Sequence, residues 1–271
     1  ALYRVHEQPE PQSVALLLAK LADLGVPTPP APEAESMSPS DAARVAAEAS
    51  ERVTEYVEKA GRGREAFPAL ILRSLKQARY DPRNLGHSGL ASVAYCHFTS
   101  PIRRYPDLVV HRALLRELGQ GEGDLAADDL QALAEHTSAR EREAMQTEYL
   151  ADEICLAWLL ESKLYERGWE KPFEGEVIGV IPSGLFVRFG EVFEGYVPVR
   201  RLGGDYFEIN DLGTALVGRR SGRPYRLGDP LEVVVEDIRR SEGKVELKPV
   251  AAREPRSGDG GRRRRARAGR R

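Results

Sequence analysis

The chain has 271 residues, 41% of them hydrophobic and 30% charged, with a net charge of −2. That is enough apolar material for one large or two ordinary domains, and it excludes a disordered or collagen-like polymer. No apolar run approaches the ~20 residues of a membrane span. The two cysteines, Cys96 and Cys155, lie far apart in apolar surroundings, without zinc spacing or a disulfide framework, which fits a reducing cytoplasm.

In chain order, residues 11–25 predict a helix. Val14, Leu17, Leu18, Leu21 and Leu24 fall near a 3.6-residue period and Gly25 stops it. A proline-rich connector over 26–32 follows. Ser38-Pro39-Ser40-Asp41 opens a second helix that runs to about Ala60 and closes at Gly61, and Phe67 to Tyr80 reads as a third. Residues 84–98, first Gly/Ser-rich and then apolar, predict a loop and a short strand. The next helix starts at Pro101 or Pro106 and ends near Leu118, with a turn over 119–123.

The start of that helix carries the densest chemistry in the chain, in residues 97–112, HFTSPIRRYPDLVVHR. Thr99 and Ser100 precede a proline, the order expected of an N-cap followed by a residue with no N–H to orphan. Backbone N–H groups at such a turn attract anions. Arg103 and Arg104 sit on the same turn, and guanidinium groups fit phosphate oxygens bidentately. The plainer alternative is a solvated face with i,i+4 pairs, Arg103 with Asp107 and Asp107 with His111.

Two helices are expected next, over 125–136 and 138–167, ended by Gly168. From Lys171 the helical period gives way to apolar–polar alternation. Five short strands (173–181, 184–189, 194–199, 231–235 and 244–248) divided by glycine turns predict a small barrel. Within it Phe186 and Arg188 should share one face, with Val187 and Phe189 on the other. Phe186 is then the expected solvent-facing stacking ring, and Tyr206 a second candidate. Beyond Val250 there is no aromatic or large aliphatic residue. Residues 253–271 hold nine arginines against Glu254 and Asp259, a local excess of +7 that leaves −9 on the rest of the chain. The tail is expected to be disordered and to bind polyanions, while the body is acidic.

The HFTSPIRRYPDLVVHR block resembles the signature of the ribonuclease II/ribonuclease R family. So do residues 80–90, YDPRNLGHSGL, residues 94–98, AYCHF, and the opening Leu2 to Glu7. The S1-type OB-fold barrel is resembled by Gly184-Leu185-Phe186-Val187 and Glu194-Gly195-Tyr196-Val197, and such a barrel follows the catalytic domain in that family. The resemblance implies an α+β chain. Residues 1–168 would be the mainly helical C-terminal part of the RNB catalytic domain, 171–250 the all-β S1-type OB-fold, and 251–271 a disordered basic tail.

The implied activity is processive, hydrolytic 3′→5′ exoribonuclease action that yields nucleoside 5′-monophosphates from single-stranded RNA. It would be carried out by a cytoplasmic monomer with no membrane attachment. Arg103 takes the position of the family's phosphate-binding arginine. Arg104, Tyr105, Ser100, Thr99, His97, Tyr95, His87, Glu141, Arg142, Phe186, Arg188 and Tyr206 are the expected RNA contacts. The family's magnesium is held by clustered aspartates upstream of the matching segment. Here Asp128-Asp129 is the only adjacent pair, so the Mg2+ ligands are expected in polypeptide preceding Ala1, and this segment alone is expected to be inactive. The alternatives are a stand-alone, non-catalytic single-stranded RNA-binding protein and a helical scaffold for protein partners.

Overall fold

The computed structural model describes residues 1–121 and 127–250; the arginine-rich tail and residues 122–126 of the expected turn and helix start lie outside them. Strand β1 (Tyr3–Val5) precedes helix α1 (Pro11–Asp23), which has a proline in its first turn and buries Val14, Leu17 and Leu21. Helix α2 (Pro39–Ala60) starts with a reciprocal cap. Ser38 Oγ accepts the Asp41 N–H at 3.1 Å, and an Asp41 carboxylate oxygen accepts the Ser38 N–H at 3.3 Å. It ends on Gly61 in the left-handed region, where a Cβ would be strained. Its buried residues, Ala42, Val45, Ala46, Ala49 and Val53, form one helical stripe facing α1 and α3 (Ala66–Ser74).

The third helix is shorter than its pattern predicts. It stops at Ser74, and Arg79–Asp81 forms strand β2, antiparallel to β1 with Arg4 opposite Tyr80. A partner more than 70 residues away outweighs local helical periodicity here. Helix α4 (Tyr105–Glu117) starts at the second of the two candidate prolines, with Pro106 in its first turn. The two helices expected next are one, α5 (Ala127–Arg167), 41 residues long. Thr137 and Ser138, at the expected break, donate their hydroxyls back to the Leu133 and Ala134 carbonyls at 2.8 and 2.7 Å. These bonds are compatible with a continuous helix. Ser138 Oγ also accepts the Tyr80 N–H at 3.0 Å, which ties α5 to β2.

The β region has eight strands where five were expected: β3 (Gly175–Ile181), β4 (Gly184–Phe189), β5 (Phe193–Pro198), β6 (Phe207–Ile209), β7 (Ala215–Gly218), β8 (Pro224–Arg226), β9 (Val233–Arg239) and β10 (Lys244–Pro249). One sheet runs β3-β4-β5-β10-β9, and β6-β7-β8 form a second. Phe173 and Val233 exchange backbone bonds at 2.8 and 3.0 Å, so the far edge folds back on the start and the barrel closes. Val177, Leu185, Val187, Val197, Val233 and Leu247 fill it, and Leu160 and Leu164 of α5 seal one side, all fully buried. Each such aliphatic contributes about 1.5–3 kcal/mol by leaving water. The architecture is the expected α+β one, helices followed by an OB-type barrel.

Candidate nucleic-acid interface

Residues 101–103 form a turn that precedes α4. The Thr99 and Ser100 hydroxyls do not cap α4. Its N-cap position is Arg104, which makes no side-chain cap bond. Asp107, within the first turn, instead reaches back: one carboxylate oxygen accepts the Ser100 N–H at 2.7 Å and the Arg104 guanidinium at 2.9 Å. The Arg103 and Arg104 N–H groups both bond the Ser100 carbonyl. These N–H groups are therefore spent inside the turn, and anion attraction falls to the side chains. Asp107 is fully buried. Burial pushes its carboxyl up, but the Ser100 N–H and the Arg104 guanidinium outweigh this and hold it below the ordinary aspartate value.

Asp107 thus pairs with Arg104 at i,i−3, and not with Arg103 as the solvated-face reading has it. His111 gives Nε2 to the Phe98 carbonyl at 2.8 Å. The exposed Arg103 side chain makes no hydrogen bond or ion pair among the described residues. Arg103, Arg104 and Tyr105 line one wall of a cleft of about 780 Å3, and His136, Arg140, Glu141 and Glu148 of α5 line the other. Glu141 and Glu148, seven residues apart on α5, share the face that lines it. Arg142 does not join them. It points into a separate groove beside Arg79, Asp81 and Arg83.

Behind the cleft, rings of the Gly/Ser loop form a run with Tyr80 of β2 and His6, which follows β1. Tyr80, His97, Tyr95, His87 and His6 follow one another at centroid distances of 5.7, 5.7, 5.3 and 5.2 Å. Tyr80 Oη and His97 Nδ1 share a 2.9 Å hydrogen bond. Burial, then the Arg104 and Arg4 charges, push His97 below the usual histidine range. Burial, then His6 and Arg4, do the same to His87. Both rings are therefore neutral at neutral pH and can stack or hydrogen-bond but cannot serve as phosphate counter-charges. Burial, with Glu141 next, raises the Tyr80 hydroxyl, which stays protonated.

Arg4, which no sequence argument singled out, joins these parts. Its guanidinium lies 4.8 Å from the Tyr80 ring centre and bonds Glu141 at 2.6 Å. The β1–β2 pairing that brings it there has no local signal. Thr99 is exposed and does not line the cleft.

On the barrel, Phe186 faces out and Val187 and Phe189 face in, as alternation predicts. The Phe186 ring lies 5.4 Å from that of Tyr196. Both line a groove of about 520 Å3 with Arg239 and Lys244. Arg188 shares the outward side of β4 but pairs with Glu194, and with Glu65 at 3.6 Å, so it is engaged within the fold. Tyr206 is 67% exposed, beside the Arg219 guanidinium at 5.4 Å, and is not part of the Phe186 groove. Next to it, hydrogen bonds from Ser221, then from the Arg220 and Tyr206 N–H groups, take Asp205 down to about 2.

Among the described residues no group of three or more His, Cys, Asp or Glu side chains is placed to hold a metal ion. The buried carboxylates Asp81 and Asp107 are each committed to arginines. The described residues thus offer no ligand set for the magnesium that the sequence resemblance implies.

Residues 1–120 match the RNB domain, and residues 170–248 match the S1 RNA binding domain. Ribonuclease R of Escherichia coli (strain K12) is 34% identical over 271 aligned residues, covering 95% of this chain. The chain belongs to the ribonuclease II/ribonuclease R (RNB) family. It spans about a third of that relative's length, 31%. Among solved structures, apo Mycoplasma genitalium RNase R superposes with a TM-score of 0.74 at 26% identity, covering 92% of this chain and 37% of the other. The same enzyme in complex with ribose-methylated single-stranded RNA gives 0.75, at the same identity and coverage. The RNB match thus contains the arginine turn and the ring run, and the S1 match contains the barrel groove.

Proposed function

We propose that this chain supplies the phosphate-contacting cleft and the strand-binding barrel of a processive, hydrolytic 3′→5′ exoribonuclease. That enzyme would use magnesium to release nucleoside 5′-monophosphates from single-stranded RNA, acting as a cytoplasmic monomer. The observation that carries this is the contrast between the two cleft arginines. Arg104 is fixed by a buried carboxylate, while the neighbouring Arg103 presents an uncommitted guanidinium to the same cleft. Arg103 is the group that would bind phosphate oxygens bidentately and offset charge developing on them. Arg104 would add a second, rigid positive charge. Tyr105, at the cleft edge and 47% exposed, would stack on a base, as would Tyr95 and the outward Phe186 and Tyr196 of the barrel.

The test is binding of a labelled single-stranded oligonucleotide to the 271-residue chain, followed by fluorescence anisotropy across a salt series. Arg103→Ala is expected to weaken binding and to reduce the slope of log K against log salt by about 0.7, one single-strand phosphate contact. Unchanged affinity and slope would remove Arg103 from the interface.

A further inference from the structure

Helix α3 has no cap of its own. It is entered through Gly61 and Gly63, both at positive φ, and its N-cap residue, Glu65, makes no side-chain cap bond. The orphan donors of its first turn are satisfied from the other domain. Glu176, on barrel strand β3, accepts the Arg64 N–H at 2.9 Å on one carboxylate oxygen, and the Glu65 and Ala66 N–H groups at 3.1 and 2.9 Å on the other. A carboxylate at this point meets both the free N–H groups and the positive end of the helix dipole. Arg188, opposite Glu176 in the β3–β4 register, reaches Glu65 from the same side.

We propose that Glu176 is a positioning residue that sets the angle of the barrel on the helical half. On the RNA reading given above, on which this part rests, it keeps the Phe186–Tyr196 groove and the arginine cleft on one continuous track. The glycine-containing joint between α2 and α3 leaves the α3 amino end few restraints of its own. Other ties lie beside it: the Gly63 N–H to the Gly228 carbonyl at 3.2 Å, the Arg62 guanidinium to the Leu227 carbonyl at 3.3 Å and to Asp229 at 3.2 Å, and the Phe67 ring packed between the two glycines. The Glu176 bonds orient the helix itself. When two binding surfaces are held at a fixed separation, the second contact becomes intramolecular and a long strand gains affinity that a short one cannot.

The experiment compares the 271-residue chain with Glu176→Ala and with the milder Glu176→Gln, which keeps one acceptor oxygen and serves if the alanine variant does not fold. Amide hydrogen exchange at residues 64–66 should accelerate about tenfold or more in the alanine variant, and less in Gln. Small-angle scattering should show a broader distribution of long interatomic distances. A ~5-nucleotide strand, which fits one OB-fold, should bind as before, while a ~20-nucleotide strand loses about tenfold in affinity. Unchanged exchange at 64–66 would overturn the proposal. So would faster exchange with unaltered scattering and an unaltered ratio of long-strand to short-strand affinity, because Glu176 would then be a local cap only. If the parent chain binds neither strand, the RNA reading fails, while exchange and scattering still decide the latch.

Discussion

Replacing Asp107 by asparagine isolates the charge that orders the arginine turn. Asparagine keeps the size of the side chain and one acceptor for the Ser100 N–H. What is lost is the negative charge facing Arg104, whose side chain is 23% exposed. Removing one partner of a fully buried pair costs about 3–5 kcal/mol, and losing a charge-assisted bond costs about 1.5–3 kcal/mol. Arg104 retains some water contact, so the lower range applies, about 2 kcal/mol. For a domain of this size that corresponds to a fall in Tm of about 4–8 °C.

Urea denaturation followed by circular dichroism measures the loss, and pH gives a second check. The folded-state pKa of Asp107 is lowered, so its carboxylate contributes stability that is present above the unfolded value, about 3.9, and lost as pH falls through the folded value. The gap between parent and Asp107→Asn should therefore be full at pH 7 and close progressively below pH ~4. A gap under about 0.5 kcal/mol at pH 7, or one that widens in acid, would refute the reasoning.

Phe186→Ala should weaken a short single strand by about 1–3 kcal/mol and leave the salt slope nearly unchanged, because stacking releases few counterions; titration at two salt concentrations reads both. Deleting residues 253–271, whose expected polyanion binding rests on composition alone, should flatten the salt dependence by about 0.7 per lost contact. An untouched slope would assign the whole phosphate track to residues 1–252.

The parts of the fold legible in the sequence are those set by neighbours along the chain. Ser38, Asp41 and Gly61 bound α2, and the alternation of Phe186, Val187, Arg188 and Phe189 gives β4 its two faces. The parts missed depend on distant partners. Strand β2 forms because Tyr3–Val5 lies beside it, and α5 runs unbroken past Thr137 and Ser138 because their hydroxyls bond within the helix and to β2. The short strands β6 and β8, three residues each, carry too few positions for a period to register.

The site divides in the same way. Arg103, Arg104, Tyr105 and Glu141, all among the contacts that the family resemblance implies, meet at one cleft. Arg142 and Arg188 are drawn elsewhere, Arg142 to its own groove on α5 and Arg188 to two glutamates. Arg4 became visible only once β1 and β2 were paired. The anion-binding reading of the turn counted on its backbone, but Asp107 and the Ser100 carbonyl already occupy the N–H groups of Ser100, Arg103 and Arg104.

The central claim is that Arg103 contacts the reacting phosphate of RNA. The most direct measurement is single-turnover release of nucleoside monophosphates by the complete polypeptide carrying this chain, comparing the parent with Arg103→Lys. Lysine keeps the charge and loses the fork, so the rate should fall about 100-fold or more, about 2.7 kcal/mol of transition-state stabilisation, with a much smaller change in RNA affinity. Equal single-turnover rates in the two proteins would contradict the account.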